Sequence, residues 1–161
     1  MKDKIVNIDV EVKHKDDLYN KYSDEVLPKE LREYISDEVI GEPFDAKIVL
    51  NLTTHFRMSD SDKKTFDKAV RTEYKDNIDE INLTIRHDNI KELLMFFVGL
   101  FLLVPSYMFK IRYDHIIAEI VLIFGWVAIW EVAYSIMFVS TERKLKLRRL
   151  KQLYKMEIEY K

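Results

Sequence analysis

IIAEIVLIFGWVAIWEVAYSIMFV, residues Ile116 to Val139, is 24 residues long and apolar apart from Glu119, Glu131, Tyr134 and Ser135. At 1.5 Å rise per residue a helix of this length reaches about 36 Å, enough to cross a hydrocarbon layer of about 30 Å with some tilt. A second apolar run, Leu93 to Phe109, ends six residues earlier. Two such runs joined by the short turn KIRYDH read as a transmembrane hairpin.

Pooled composition hides this, because 34% charged residues and a mean hydropathy of −0.21 describe an ordinary soluble protein. Division of the chain is more informative. Residues 1–91 hold 16 Lys/Arg and 21 Asp/Glu, residues 92–139 hold 2 and 4, and residues 140–161 hold 8 and 3. An acidic segment and a basic tail therefore flank the apolar hairpin. At 161 residues the chain has room for the hairpin and one small domain. It contains no Cys, which excludes a disulfide framework and thiolate chemistry and fits a reducing compartment. The opening MKDKIVNIDVEVKHK alternates charged and apolar residues, and no secretory leader is expected from it.

Basic residues set the expected orientation. Arg143, Lys144, Lys146, Arg148, Arg149 and Lys151 follow the second run closely, whereas the turn offers only Lys110 and Arg112. The positive-inside rule then puts both termini in the cytoplasm and the turn outside.

In the first ninety residues, Ile5 to Lys13 alternates, with Val6, Ile8, Val10 and Val12 on one face, as a half-buried strand does. His14 to Glu25 reads as loop. Pro28 opens a helix whose stripe is Leu31, Tyr34, Ile35 and Val39, and Gly41 with Pro43 stops it. Lys47 to Phe56 alternates again. Met58 to Asp62 offers helix caps, and Phe66, Val70, Tyr74, Ile78, Ile81 and Ile85 keep helical spacing. For Glu80 to Arg86 the helix is preferred over a competing strand pattern. A break is expected at Asp88-Asn89, and Pro105 is expected to bend or end the first span. After Val139 the basic tail continues as helix, and Met156, Ile158 and Tyr160 alternate as a short returning strand would.

Glu131 is the sharpest single feature. A carboxylate within an apolar span costs about 3 kcal/mol. It is either protonated, bonded to Tyr134, Ser135 or a neighbouring subunit, or lining a wet cavity. The plain alternative is a membrane-edge acid reached by Lys91 or Arg143. Glu119 and His115 read as outer-surface flank. Trp126 and Trp130, one turn apart, point to packing against a neighbouring helix. Gly99 and Ser106 form a small-residue face matched by Gly125 and Ala128. Arg143, Lys144, Lys146, Arg148 and Arg149 are candidates for lipid headgroups or a partner.

An enzyme is not expected. His14, His55, His87 and His115 are scattered, with no metal-ligand spacing, no Gly-rich phosphate loop and no nucleophile elbow. Carboxylate pairs such as Glu73-Asp76 read as solvated. Asn51-Leu-Thr53 and Asn82-Leu-Thr84 match the glycosylation acceptor pattern, which has no meaning in a cytoplasmic segment. Nucleic-acid binding is not expected either, since no aromatic residues interleave the basic charges where stacking would need them.

The stretch Gly125-Trp126-Val127-Ala128-Ile129-Trp130, followed by the basic tail, resembles a group of uncharacterised two-helix bacterial membrane proteins, with a G-W-V-A-x-W motif. The resemblance covers roughly residues 40 to 155. It implies a bacterial inner-membrane setting and carries no activity, cofactor or metal. Glu131 has no counterpart in that motif.

The expected fold is a membrane protein: a two-helix transmembrane hairpin with a small α+β cytoplasmic domain. Its parts are a β-α-β segment over 1–59, an amphipathic pre-membrane helix over 60–91, the hairpin over 92–139 (spans 93–109 and 116–139) and a basic tail over 140–161. The expected function is a non-enzymatic oligomeric membrane protein, without cofactor, whose cytoplasmic domain scaffolds or senses a protein partner. The alternative is a small ion channel or membrane-disrupting effector gated by that domain. A membrane-bound hydrolase is the distant third.

Overall fold

A computed structural model describes residues 4–20, 23, 26–113 and 116–161; no side chain of 109–113 is included. The KIRYDH turn, with Lys110, Arg112 and His115, lies outside the described side chains. Two compact units result: Met1–Glu80 with Leu147–Lys161, and Ile81–Lys146.

The first unit is built on three strands, β1 (Ile5–Val12), β2 (Lys47–Thr54) and β3 (Glu157–Tyr160), in the order β1-β2-β3. All pairs are parallel, with Ile8 beside Leu50 and Leu50 beside Ile158. In β1 the alternation of the sequence becomes alternation of burial, Ile8, Val10 and Val12 inside and Asn7, Asp9 and Glu11 outside. Parallel neighbours cannot be joined by a tight turn, so each pair needs a crossover. α1 (Lys29–Glu38) crosses from β1 to β2. The second crossover leaves through α2 (Asp60–Tyr113) and returns through α4 (Ser140–Tyr154), with the hairpin between them in the chain. This topology is α/β, in place of the α+β arrangement expected.

One face of the sheet is covered. Ile35 of α1 and Val39 just after it, Phe66, Val70 and Tyr74 of α2, and Leu153 of α4 with Met156 just after that helix are buried together with Ile8, Leu50 and Leu52. Gly41, at φ 85°, lets the chain leave α1 in the left-handed region. Arg71 of α2 donates to the carbonyls of Tyr154 and Met156, the second at 2.6 Å, and so closes the carboxyl end of α4. Glu73, expected to be solvated, is largely buried and receives the Arg32 guanidinium at 2.6 Å; that hydrogen bond raises the Arg32 pKa. Within the expected loop a 3-10 turn (Lys15–Leu18) plants Leu18 in the core.

The second unit holds the apolar part of α2, then α3 (Ile116–Tyr134), a π-helical turn (Ser135–Val139) and the start of α4. Residues 80–86 are helix. The helix does not end at either expected break point. At Asp88-Asn89 the helix continues because the Asp88 side chain faces Arg143 instead of capping its own backbone. At Pro105 it also continues, and the turns on both sides are held where Leu103 meets Gly125 and Ser106 is buried. Both helices are long and apolar enough to cross a membrane, with mean hydropathy of 1.7 and 2.1 over their most apolar windows.

The amino end of α2 supplies a pH-dependent clamp. Asp62 accepts from Lys15 at 2.8 Å and from the Ser59 hydroxyl at 2.8 Å, while the Ser59 hydroxyl accepts from the Asp62 amide. The Lys15 bond first, then Ser59, lowers the Asp62 carboxyl to about 2. Its contribution is complete above the unfolded value of about 3.9 and is lost as pH falls through the folded value. The stability difference between the parent and Asp62→Asn is therefore expected to be full at about pH 5 and closed near about pH 2, as read by urea unfolding at each pH.

Candidate functional site

The hairpin is held by a seam of small residues. On α3 the buried positions Ala118, Gly125, Ala128 and Val132 are spaced seven, three and four apart, which is one helical face. On α2 the matching line is Gly99, Leu103 and Ser106, with Ser106 5% exposed. A methyl group added at Gly99 would lie 2.8 Å from Ile129 Cδ1 and 3.2 Å from the Gly125 carbonyl oxygen. One added at Gly125 would lie 2.8 Å from Leu103 Cγ and 3.1 Å from the Leu103 backbone nitrogen. The two backbones thus approach as closely as glycine permits, which maximises dispersion contacts between helices.

At the end of the seam nearest Ser135 the apolar packing gives way to charge. Ser135 donates its hydroxyl proton to Glu92, and Asp88 forms an ion pair with Arg143. A cleft of about 200 Å³ opens there, lined also by Lys91, Met95 and Glu131. Its three carboxylates face two cations, so the lining is close to neutral with an acidic excess of one. Glu131 lies on the flank of α3 beside the seam, is exposed, and among the described residues makes no hydrogen bond or ion pair. Lys91 and Arg143 line the same cleft, but neither is paired with Glu131, and Arg143 is paired with Asp88. The π-helical turn begins at Ser135 and fits the extra residue that turns Ser135 towards Glu92.

Trp126 and Trp130 point the other way. At 100° per residue they fall roughly opposite the seam, and Trp130 is 74% exposed. Glu119 stands in the first turn of α3. Of the basic candidates, Arg143 is taken by Asp88. Arg149 lies in the first unit, where it donates to the Glu42 carbonyl at 2.7 Å and stacks 4.4 Å over the Phe44 ring. Both are engaged within the chain. Lys144, Lys146 and Arg148 remain exposed.

Lys91 was expected near Glu131, whereas Asp88 and Glu92 were not among the expected site residues. A signal for them existed: Glu92 heads the first apolar run and Ser135 closes the second, and an antiparallel hairpin brings those two ends together. His55 pairs with Glu11 at 2.5 Å, His87 lies 3.8 Å from Asp88, and among the described residues no three His, Asp or Glu gather as a metal site. No family, curated protein or solved structure matches the chain in comparison.

The seam yields a graded prediction. Replacement of Gly by Ala in a helix gains about 1 kcal/mol from propensity, against about 1–3 kcal/mol lost to overpacking. Gly99→Ala should be the milder change, because its methyl meets the Ile129 side chain at Cδ1 and Cγ1, which can turn away, although the Gly125 carbonyl oxygen at 3.2 Å also crowds it. Gly125→Ala should destabilise the hairpin, because its methyl meets the branch point and backbone of Leu103. Tryptophan fluorescence during denaturation in detergent micelles reads both.

Proposed function

We propose that the chain crosses a lipid bilayer twice as a helical hairpin, self-associates there, and presents its α/β unit in the cytoplasm to a protein partner without catalysis of its own. The observation that carries this reading is outward-facing apolar surface. Only 11% and 22% of the most apolar windows of the two helices are buried within the chain, the reverse of a soluble core helix. Phe101, Ile116, Ile117 and Trp130 are all more than 70% exposed. In water each such side chain would forfeit about 1.5–3 kcal/mol of burial; lipid removes that cost.

The sheet supports an even number of crossings. β2 and β3 are hydrogen-bonded neighbours, so the chain before α2 and after α4 stands on one side of any membrane. Two spans meet that condition. The exposed Lys144, Lys146 and Arg148 beyond the second span favour the cytoplasmic side. A bacterial inner membrane is the setting implied by the resemblance of the Gly125–Trp130 stretch.

Self-association follows from what the hairpin leaves uncovered. Gly99, Ser106, Gly125 and Ala128 are consumed inside the seam, so a second copy has to use another face. The flank carrying Glu131 offers a carboxylate without an internal hydrogen bond, and the face carrying Trp126 and Trp130 adds aromatic area. Interhelical hydrogen bonds in membranes contribute about 0.6–2 kcal/mol. Glu131→Leu should therefore weaken self-association by about 3- to 30-fold, while Glu131→Gln largely preserves it. The cysteine-free background permits the measurement: Val127→Cys, on the same flank, should form a disulfide-linked dimer in membranes. A strictly monomeric parent, with no crosslink at Val127→Cys, would contradict the proposal.

A further inference from the structure

The α/β unit carries a groove that neither its core nor the hairpin uses. The groove has a volume of about 510 Å³ and runs between the loop entering β2 and the last turns of α4. Lys47, Arg148, Lys151 and Lys155 line it, with Asp45 the one acid among the lining residues. Arg148 and Lys151 are three apart on α4 and Lys155 follows directly after its last residue, so like charges stand close together and repel.

Their pairing sets them apart. Lys47 reaches Glu157 at 2.7 Å, whereas among the described residues the side chains of Arg148, Lys151 and Lys155 have no ion pair or hydrogen bond. This happens in a unit whose first eighty residues hold 14 basic and 20 acidic side chains, so acids to neutralise them are plentiful in the sequence. The dipole of α4 accounts for a cation in its last turn, Lys151. It does not account for Arg148, six residues before the end of the helix.

The floor, in contrast, is fixed. Gln152 donates to the carbonyls of Pro43 and Ala46 at 3.0 and 2.7 Å, and Arg149 holds Glu42 and Phe44 as described. A fixed floor with three unpaired cations on its rim is a preorganised receptor for a phosphoryl anion. Arg148 contributes a planar fork suited to phosphoryl oxygens and the lysines contribute point charges.

We propose that this groove binds a phosphoryl anion. Free pyrophosphate and the phosphate of an anionic lipid headgroup share that chemistry, and the site is independent of how the hairpin self-associates.

The experiment uses the full chain in phosphatidylcholine nanodiscs, titrated with pyrophosphate by calorimetry. A parallel arm uses nanodiscs containing phosphatidylglycerol, with retained lipid counted by native mass spectrometry. The double variant Lys151→Gln/Lys155→Gln removes two rim charges. Lys64→Gln/Lys75→Gln removes two exposed charges from α2 and serves as the control. Saturable pyrophosphate binding, weakened about tenfold or more in the groove variant and unchanged in the control, supports the proposal and assigns a soluble ligand. Absence of pyrophosphate binding, with phosphatidylglycerol retained by the parent and lost from the groove variant alone, supports it and assigns a headgroup. Binding of neither, or equal loss in both double variants, overturns it.

Discussion

The pairing of β3 with β2 is the constraint on which everything else hangs. A strand that joins a parallel neighbour has to be delivered by a crossover, and here that crossover contains the apolar hairpin. Its outgoing limb places Phe66, Val70 and Tyr74 in the core, and its returning limb places Leu153 and Met156 there. Without the return, two strands and one helix would be left with an uncovered face, and a sheet of that size is marginal on its own. The clasp from Arg71 to the carbonyls of Tyr154 and Met156, and the Tyr160 hydroxyl set 2.8 Å from Asp67 and 3.1 Å from the Lys63 carbonyl, fasten that return. Burial, then Asp67, raises the Tyr160 pKa, so the phenol keeps its proton there.

Within the hairpin two kinds of contact divide the length of the helices. Backbone approach at Gly99 and Gly125 supplies packing along the seam. At the other end the Glu92–Ser135 hydrogen bond and the Asp88–Arg143 ion pair supply direction, because each needs its partner at one register. In the proposed bilayer setting this ordering is consistent with depth: dispersion where charge is most costly, ion pairing nearer the boundary. Glu131 stands between the two regimes, sharing the charged cleft while leaving its own carboxylate without a bond.

Much of the architecture was legible because it rests on periodicity. Alternation gave β1 and β2, the 3.6-residue period gave α1 and α2, and the last residues showed a strand pattern even though its partner lay a hundred positions away. What stayed hidden depends on which surfaces meet. That all strands run parallel follows from long-range pairing, which alternation does not encode. Pro105 and Asp88-Asn89 looked like breaks by local chemistry, yet tertiary contacts of Leu103, Ser106 and Asp88 carry the helix through them. In the cleft, Glu131 and Ser135 stood out as polar residues in an apolar run, with Lys91 and Arg143 as nearby cations, whereas Asp88 and Glu92 looked like ordinary helix flank. Arg149 had the composition of a headgroup ligand, and only the fold reveals that the Glu42 carbonyl and the Phe44 ring occupy it.

The central claim is that lipid, and not protein, covers the outward faces of α2 and α3. Alkaline carbonate extraction of membranes from cells expressing the chain tests it most directly. The account predicts that the chain stays with the membrane pellet and is released only by detergent. Recovery as a monodisperse species in detergent-free buffer would contradict it.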